Sequence, residues 1–206
     1  MTSIFKRPAR TLPAVLLLAS ASLFLGGCQK PAPPPPPEPS PVERGKYLVT
    51  IMGCNDCHSP KVMDPMMGPM PDTTRLLSGN PADAPYPTWS PEDMMKRNML
   101  TSTNMHFTAW AGPWGVSFTA NLTPDKETGL GEWTEEAFLA AIRTGKHQGQ
   151  PNGRAILPPM PWPMVRQASD ADLKAIWAYL RSIPPVKNMV PLPVPPAQAP
   201  PGSKKP

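Results

Sequence analysis

Apolar residues recur at helical spacing in "SDADLKAIWAYLRS", where Leu173, Ile176, Trp177 and Leu180 fall on one face. Ser169 precedes that face as an N-cap, and Asp170 and Asp172 follow in the first turn, so the stretch predicts a capped helix. "VERGKYLVTIMGC" predicts a second, shorter helix, with Tyr47 and Leu48 as bulk and Gly45 small enough for a close approach. A third is expected over Thr134 to Arg143. In "SPEDMMKRNML", Ser90 as cap, Pro91 at the first helical position and two acids after it predict a short fourth. The rest of Lys61 to Gly115 shows no periodicity and is expected to be loop. No strand pattern surrounds the Cys54–His58 motif, and the helical stretches lead to an expected fold class of all-α.

The N-terminus has a different pattern. Lys6, Arg7 and Arg10 precede an apolar run from Leu12 to Leu25, the charged head and short core of an export signal. The run ends in "LGGC", which resembles the lipobox of bacterial lipoproteins; that resemblance implies cleavage before Cys28 and a lipid anchor on it. An ordinary signal peptide with Cys28 near the cut is the alternative. The exported chain would then sit at the periplasmic face of a membrane. Gln29 lacks the aspartate that retains many lipoproteins at the inner membrane, which favours the outer one.

Composition divides what remains. Eight of the fourteen residues from Cys28 to Pro41 are proline, the signature of an extended tether. The far end, residues 187–206, is also proline-rich, and neither segment is expected to fold. The expected organisation is a signal peptide over 1–27, a tether over 28–41, one domain over 42–186 and a tail. The whole chain carries +5, but the domain holds 13 basic against 14 acidic residues, which excludes a nucleic-acid surface built on net charge.

The chemistry concentrates in "GCNDCHSP". Two of three cysteines and one of three histidines lie between Cys54 and His58. A disulfide would leave the histidine without a role. A thioredoxin-like pair needs a βαβ setting, and zinc needs further ligands, whereas His106 and His147 stand apart. Covalent haem attachment uses every residue of the motif: Cys54 and Cys57 as thioethers, on one helical turn, and His58 as the proximal iron ligand.

With that motif the chain resembles the single-haem class I cytochromes c, and is most similar to the bacterial cytochromes that serve periplasmic dehydrogenases. "ANLTPDKETGLGEWTEEAFLAAIRTG" resembles a segment those proteins carry, and "LPPMPW" resembles their sixth-ligand loop. The resemblance implies a cytochrome c-like domain with one covalent haem c, and N- and C-terminal helices that cross. It also implies Asn121 and Trp133 near the haem edge. Met160, held between prolines, is the expected distal ligand; Met164, His147 and His106 are its competitors. Arg143 and Arg154 are candidates for a propionate partner, and equally for solvated charges.

Met160 lies 102 positions after His58, and the stretch from Lys61 to Gly115 reads as an insertion. Its methionines, among them Met66, Met67, Met94, Met95 and Met99, fit either soft Cu(I) ligation or irregular packing. The function this implies is a single-electron carrier with no bond chemistry of its own, working between a redox donor and acceptor. The alternative is a haem subunit permanently bound to a dehydrogenase, with a haem sensor or peroxidase and a Cu(I)-binding protein behind it.

Overall fold

The computed structural model describes residues 37–88 and 90–196. The signal segment, Cys28 and most of the tether lie outside the described residues, as do Trp89 and the end of the tail.

Helix α1 (Pro41–Ile51) opens on a capping box: the Glu43 N–H donates to the Ser40 hydroxyl, and the Ser40 N–H donates to the Glu43 carboxylate at 2.8 Å. Gly53, in the left-handed region at φ 65°, turns the chain into the single turn α2 (Cys54–His58). Helix α4 (Glu135–Thr144) is capped by Thr134 and stopped by the left-handed Gly145, and α5 (Trp162–Val165) is one turn. The last helix, α6 (Asp170–Ser182), starts on Ser169 as the sequence predicts.

Helices α1 and α6 pack directly on each other. Their closeness depends on Gly45, where a Cβ would overlap the carbonyl oxygen of Ala175. The core fills the space beside this contact with Leu48 and Val49 of α1, Phe138 and Ile142 of α4, and Leu173, Ile176, Trp177 and Leu180 of α6. Phe138 and Trp177 lie ring to ring at 5.3 Å.

The chain is not all-α. Within the span expected to be loop, β1 (Lys61–Asp64) pairs antiparallel with β2 (Gly68–Pro71), Lys61 opposite Pro71. Its turn is closed by the Asp64 carboxylate, which accepts from the Met66 and Met67 N–H groups, both at 2.8 Å. After the short α3 (Pro91–Lys96), a second antiparallel sheet runs in the order β3 (Ser102–Thr103), β4 (Ala109–Gly112), β5 (Gly115–Phe118). These strands have two to four residues and most contain Gly or Pro, too short and irregular for alternation to appear. The class is mixed α and β.

The tail departs from expectation too. Val194 bridges Val116 of β5, with N–H to carbonyl bonds of 2.7 and 2.9 Å. The Asn188 amide donates to the carbonyls of Ser78 (2.7 Å) and Asn80 (2.8 Å), and the Asn121 amide donates to the Val186 carbonyl at 2.8 Å. The described part of the tail is thus tied to the domain by a backbone bridge and by the Asn188 side-chain amide, where the sequence expectation was a segment that does not fold.

Candidate functional site

Three segments meet around His58. The first is α2, which places Cys54, Cys57 and His58 on one turn. The second, Leu77 to Asn80, is buried beneath it: the Gly79 N–H donates to the His58 carbonyl at 2.7 Å and the Leu77 N–H to the Ser59 hydroxyl at 2.8 Å. Gly79 has φ 79°, and a Cβ there would press on the backbone of Thr119 to Asn121. That brings in the third segment, where the Ala120 carbonyl lies 2.8 Å from His58 Nδ1.

A carbonyl only accepts, so that contact places the proton on Nδ1 and leaves the lone pair on Nε2. His58 is 9% exposed, and burial holds its pKa below the usual histidine value, favouring the neutral ring that can bind a metal. Beside it, Cys54 and Cys57 are free thiols, both half-buried. Burial pushes Cys54 up to about 11 and raises Cys57 as well. Thiols raised in this way are poor thiolates at neutral pH, the reverse of what a thioredoxin-like pair requires.

Met160 is half-buried and follows a segment fixed by the Ser117 hydroxyl, which donates to the Pro158 carbonyl at 2.5 Å. Its competitor Met164 is exposed. His147 is exposed, with its ring edge-on to Trp133 at 5.1 Å. His106 is engaged elsewhere, its Nδ1 accepting from the Lys61 N–H at 3.1 Å. Trp133 packs against the core, as does Cys54, so the indole and the first cysteine border the same apolar cluster. Asn121 is buried with its side-chain amide donating to the Val186 carbonyl and accepting from the Thr123 N–H. Arg143 donates to the carbonyls of Arg166 and Ala168 and pairs with Asp170, joining α4 to the start of α6. Arg154 stands exposed.

The insertion's methionines do not gather in the core: Met66, Met67, Met95 and Met99 are exposed, and Met94 is half-buried. Among the described residues no three His, Cys, Asp or Glu side chains form a metal-binding group. Sequence reasoning missed Ser59, Leu77, Gly79 and Ala120, which act through backbone or hydroxyl groups. Only the Gly79 in "LLSGN" marks them, as a position needing positive φ.

His58 thus has one ring nitrogen tied to a carbonyl and stands beside two unpaired thiols. Over 146 residues the chain is 30% identical to the gluconate 2-dehydrogenase cytochrome c subunit of Pantoea cypripedii, covering 70% of this chain and 24% of that one. It is 34% identical over 91 residues to the cytochrome c subunit of the quinone alcohol dehydrogenase of Gluconobacter oxydans, covering 41% of this chain and 18% of the relative. The chain is similar to dehydrogenase cytochrome c subunits. One of the subunits of the nicotinate dehydrogenase of Pseudomonas putida matches as well, 40% identical over 79 residues, 38% of this chain and 6% of that protein. The chain thus spans about a quarter or less of the length of these relatives. No family model matches it.

Proposed function

We propose that the described domain carries single electrons through one haem, bound covalently by Cys54 and Cys57 and ligated by His58 Nε2 and Met160 Sδ. The observation that carries this reading is the 2.8 Å contact from His58 Nδ1 to the Ala120 carbonyl, which fixes the tautomer a ligand needs. The residues fit the group in three further respects. Both thiols are unpaired. The donor set, two thiols and an imidazole on one helical turn, matches the chemistry of covalent attachment. Thr119, next to Ala120, has a buried hydroxyl with no hydrogen-bond partner, a place where a polar group of a cofactor can be received.

The haem, when bound, supplies an iron that changes charge by one electron. The chain holds what surrounds it nearly unchanged during that step. His58 is fixed through Ala120 and through its own carbonyl on Gly79, so the imidazole has no freedom to turn. The Pro158-Pro159 pair before Met160 restricts the backbone, which lowers the ordering cost of a weak thioether ligand. Cys54 and Trp133 are half-buried against the apolar core, which reduces the water around them.

The names of the relatives support a dehydrogenase as electron donor, with this chain as its haem subunit, or as a carrier between such an enzyme and an acceptor. On the same proposal residues 1–27 direct export, and lipid on Cys28 keeps the domain at the periplasmic face of a membrane. The test is the visible spectrum of protein made in a bacterium competent for cytochrome c maturation, with and without ascorbate. A low-spin spectrum that sharpens on reduction is expected. In Met160→Ala a high-spin ferric spectrum is expected; an unchanged spectrum in that variant removes Met160 from the site.

A further inference from the structure

We propose that Lys61 is a built-in positive charge that raises the reduction potential of the site, an inference that rests on the haem reading above. Lys61 follows the motif by three residues and opens β1, where its backbone is fixed twice. Its N–H donates to His106 Nδ1 at 3.1 Å, and it stands opposite Pro71 in the β1–β2 ladder. The side chain does not continue outward from the hairpin. It turns back onto α2, and Nζ donates to the carbonyls of Ser59 at 2.5 Å and Asn55 at 3.1 Å.

The residue is only 9% exposed, and no ion pair reaches it among the described residues. A buried ammonium held by carbonyls alone is costly, and such a group is rare unless paired. Lys61 could have been any residue that completes the C-terminal end of α2; a neutral donor would satisfy the same two carbonyls. The charge therefore needs a use beyond capping.

The groups facing it supply one. Cys57, His58 and Asp56 lie on the turn it closes, and Asp56, on the exposed side, is the carboxylate whose field reaches it. Thioether formation would remove any negative charge from Cys57, leaving Asp56 and the iron as the charges Lys61 acts on. An electron arriving at the iron lowers the positive charge of the centre. A fixed cation held against the turn that would carry the haem would therefore favour the reduced state, and in a buried setting its field is little screened by salt.

The experiment uses the full, haem-loaded protein and reads the midpoint potential by redox titration of its visible spectrum. Lys61→Met keeps the apolar stem and removes the charge. Lys61→Gln keeps a donor without charge, and Lys61→Arg keeps the charge. Removing the charge is expected to shift the one-electron equilibrium roughly tenfold toward the oxidised form, a midpoint lower by about 59 mV. Both neutral variants should show this with the ligation spectrum unchanged, and it should persist between about 0.01 M and 1 M salt. Lys61→Arg should stay close to wild type.

Neutral variants with the wild-type midpoint overturn the proposal. So does a Lys61→Arg variant that falls as far as Lys61→Met, because geometry would then be the cause. Loss of haem-loaded protein in both neutral variants also counts against it, since Lys61 would then serve to build the turn. A wild-type protein without haem is a separate result: it ends the functional reading itself, before any variant is compared.

Discussion

The helical frame and the segment between its helices are stabilised in different ways. In the frame, α1 and α6 meet at Gly45, and the interface is apolar: Leu48, Val49, Leu173, Ile176, Trp177 and Leu180 are buried. In the span from Lys61 to Phe118 and in the tail, apolar burial is thin. Leu77, Ala109, Ala111 and Val116 are buried, but Val62, Met63, Met66 and Met67 of the first hairpin face solvent. What fixes this half is a net of amides and hydroxyls. Asn80 accepts from the Thr108 hydroxyl at 2.8 Å, Asn104 accepts from the Thr108 N–H at 3.0 Å, and Asn188 ties the tail to Ser78 and Asn80. The frame is held by non-directional apolar packing around one close contact; the net is directional and depends on single hydrogen-bonding atoms. The site lies where they join, with His58 on a helical turn and its ring held by Ala120 in the loop that follows β5.

That contrast can be broken at chosen points. The largest effect is expected in the frame, from Gly45→Ala. Its Cβ would overlap the Ala175 carbonyl, and the helices cannot separate without opening the core, so a loss of about 3 kcal/mol or more is expected in thermal or denaturant unfolding. Gly68→Ala in the first hairpin meets open space and carries only the strain of φ 77°, about 1–2 kcal/mol. Equal costs at these two glycines would contradict the division. Next is Asn188→Ala, which leaves the Ser78 and Asn80 carbonyls without their donor at a cost of about 1–3 kcal/mol. Faster hydrogen exchange at Gly79 and Asn80, with α6 unaffected, would locate the loss in the net.

The smallest effect is the ion pair joining α1 to α6. Hydrogen bonding from Arg44 holds the Asp172 carboxyl below its ordinary value of 3.8, with the Ser169 hydroxyl and the Arg44 charge acting in the same sense. A depressed carboxylate pKa means the contribution is complete above pH 3.8 and is lost as pH falls through the lower folded value. The pair is partly exposed, so Asp172→Asn should cost at most about 1 kcal/mol at neutral pH and flatten the acid limb of the stability profile.

The same division governs what the sequence discloses. Helices α1, α4 and α6 are legible because helical spacing and, for α6, the Ser169 cap are local signals; that Thr134 caps α4 shows only in the structure. The motif is legible because its chemistry is written in five consecutive residues. The two sheets are not, since their pairing depends on partners such as Trp110 and Ser117 in strands of four residues, with no alternating pattern. The carbonyl that orients His58 lies 62 positions away, and any residue at 120 could supply it, so no side chain advertises it. Nor does proline content reveal that Asn188 will anchor the tail.

The central claim is a covalent bond between cofactor and chain at Cys54 and Cys57. The most direct test is the mass of the denatured protein after expression in a host competent for cytochrome c maturation, beside a Cys54→Ser, Cys57→Ser double variant. The account predicts that the wild-type polypeptide keeps the mass of one haem after unfolding and that the double variant loses it. A wild-type mass equal to the bare polypeptide, with or without lipid, would contradict it.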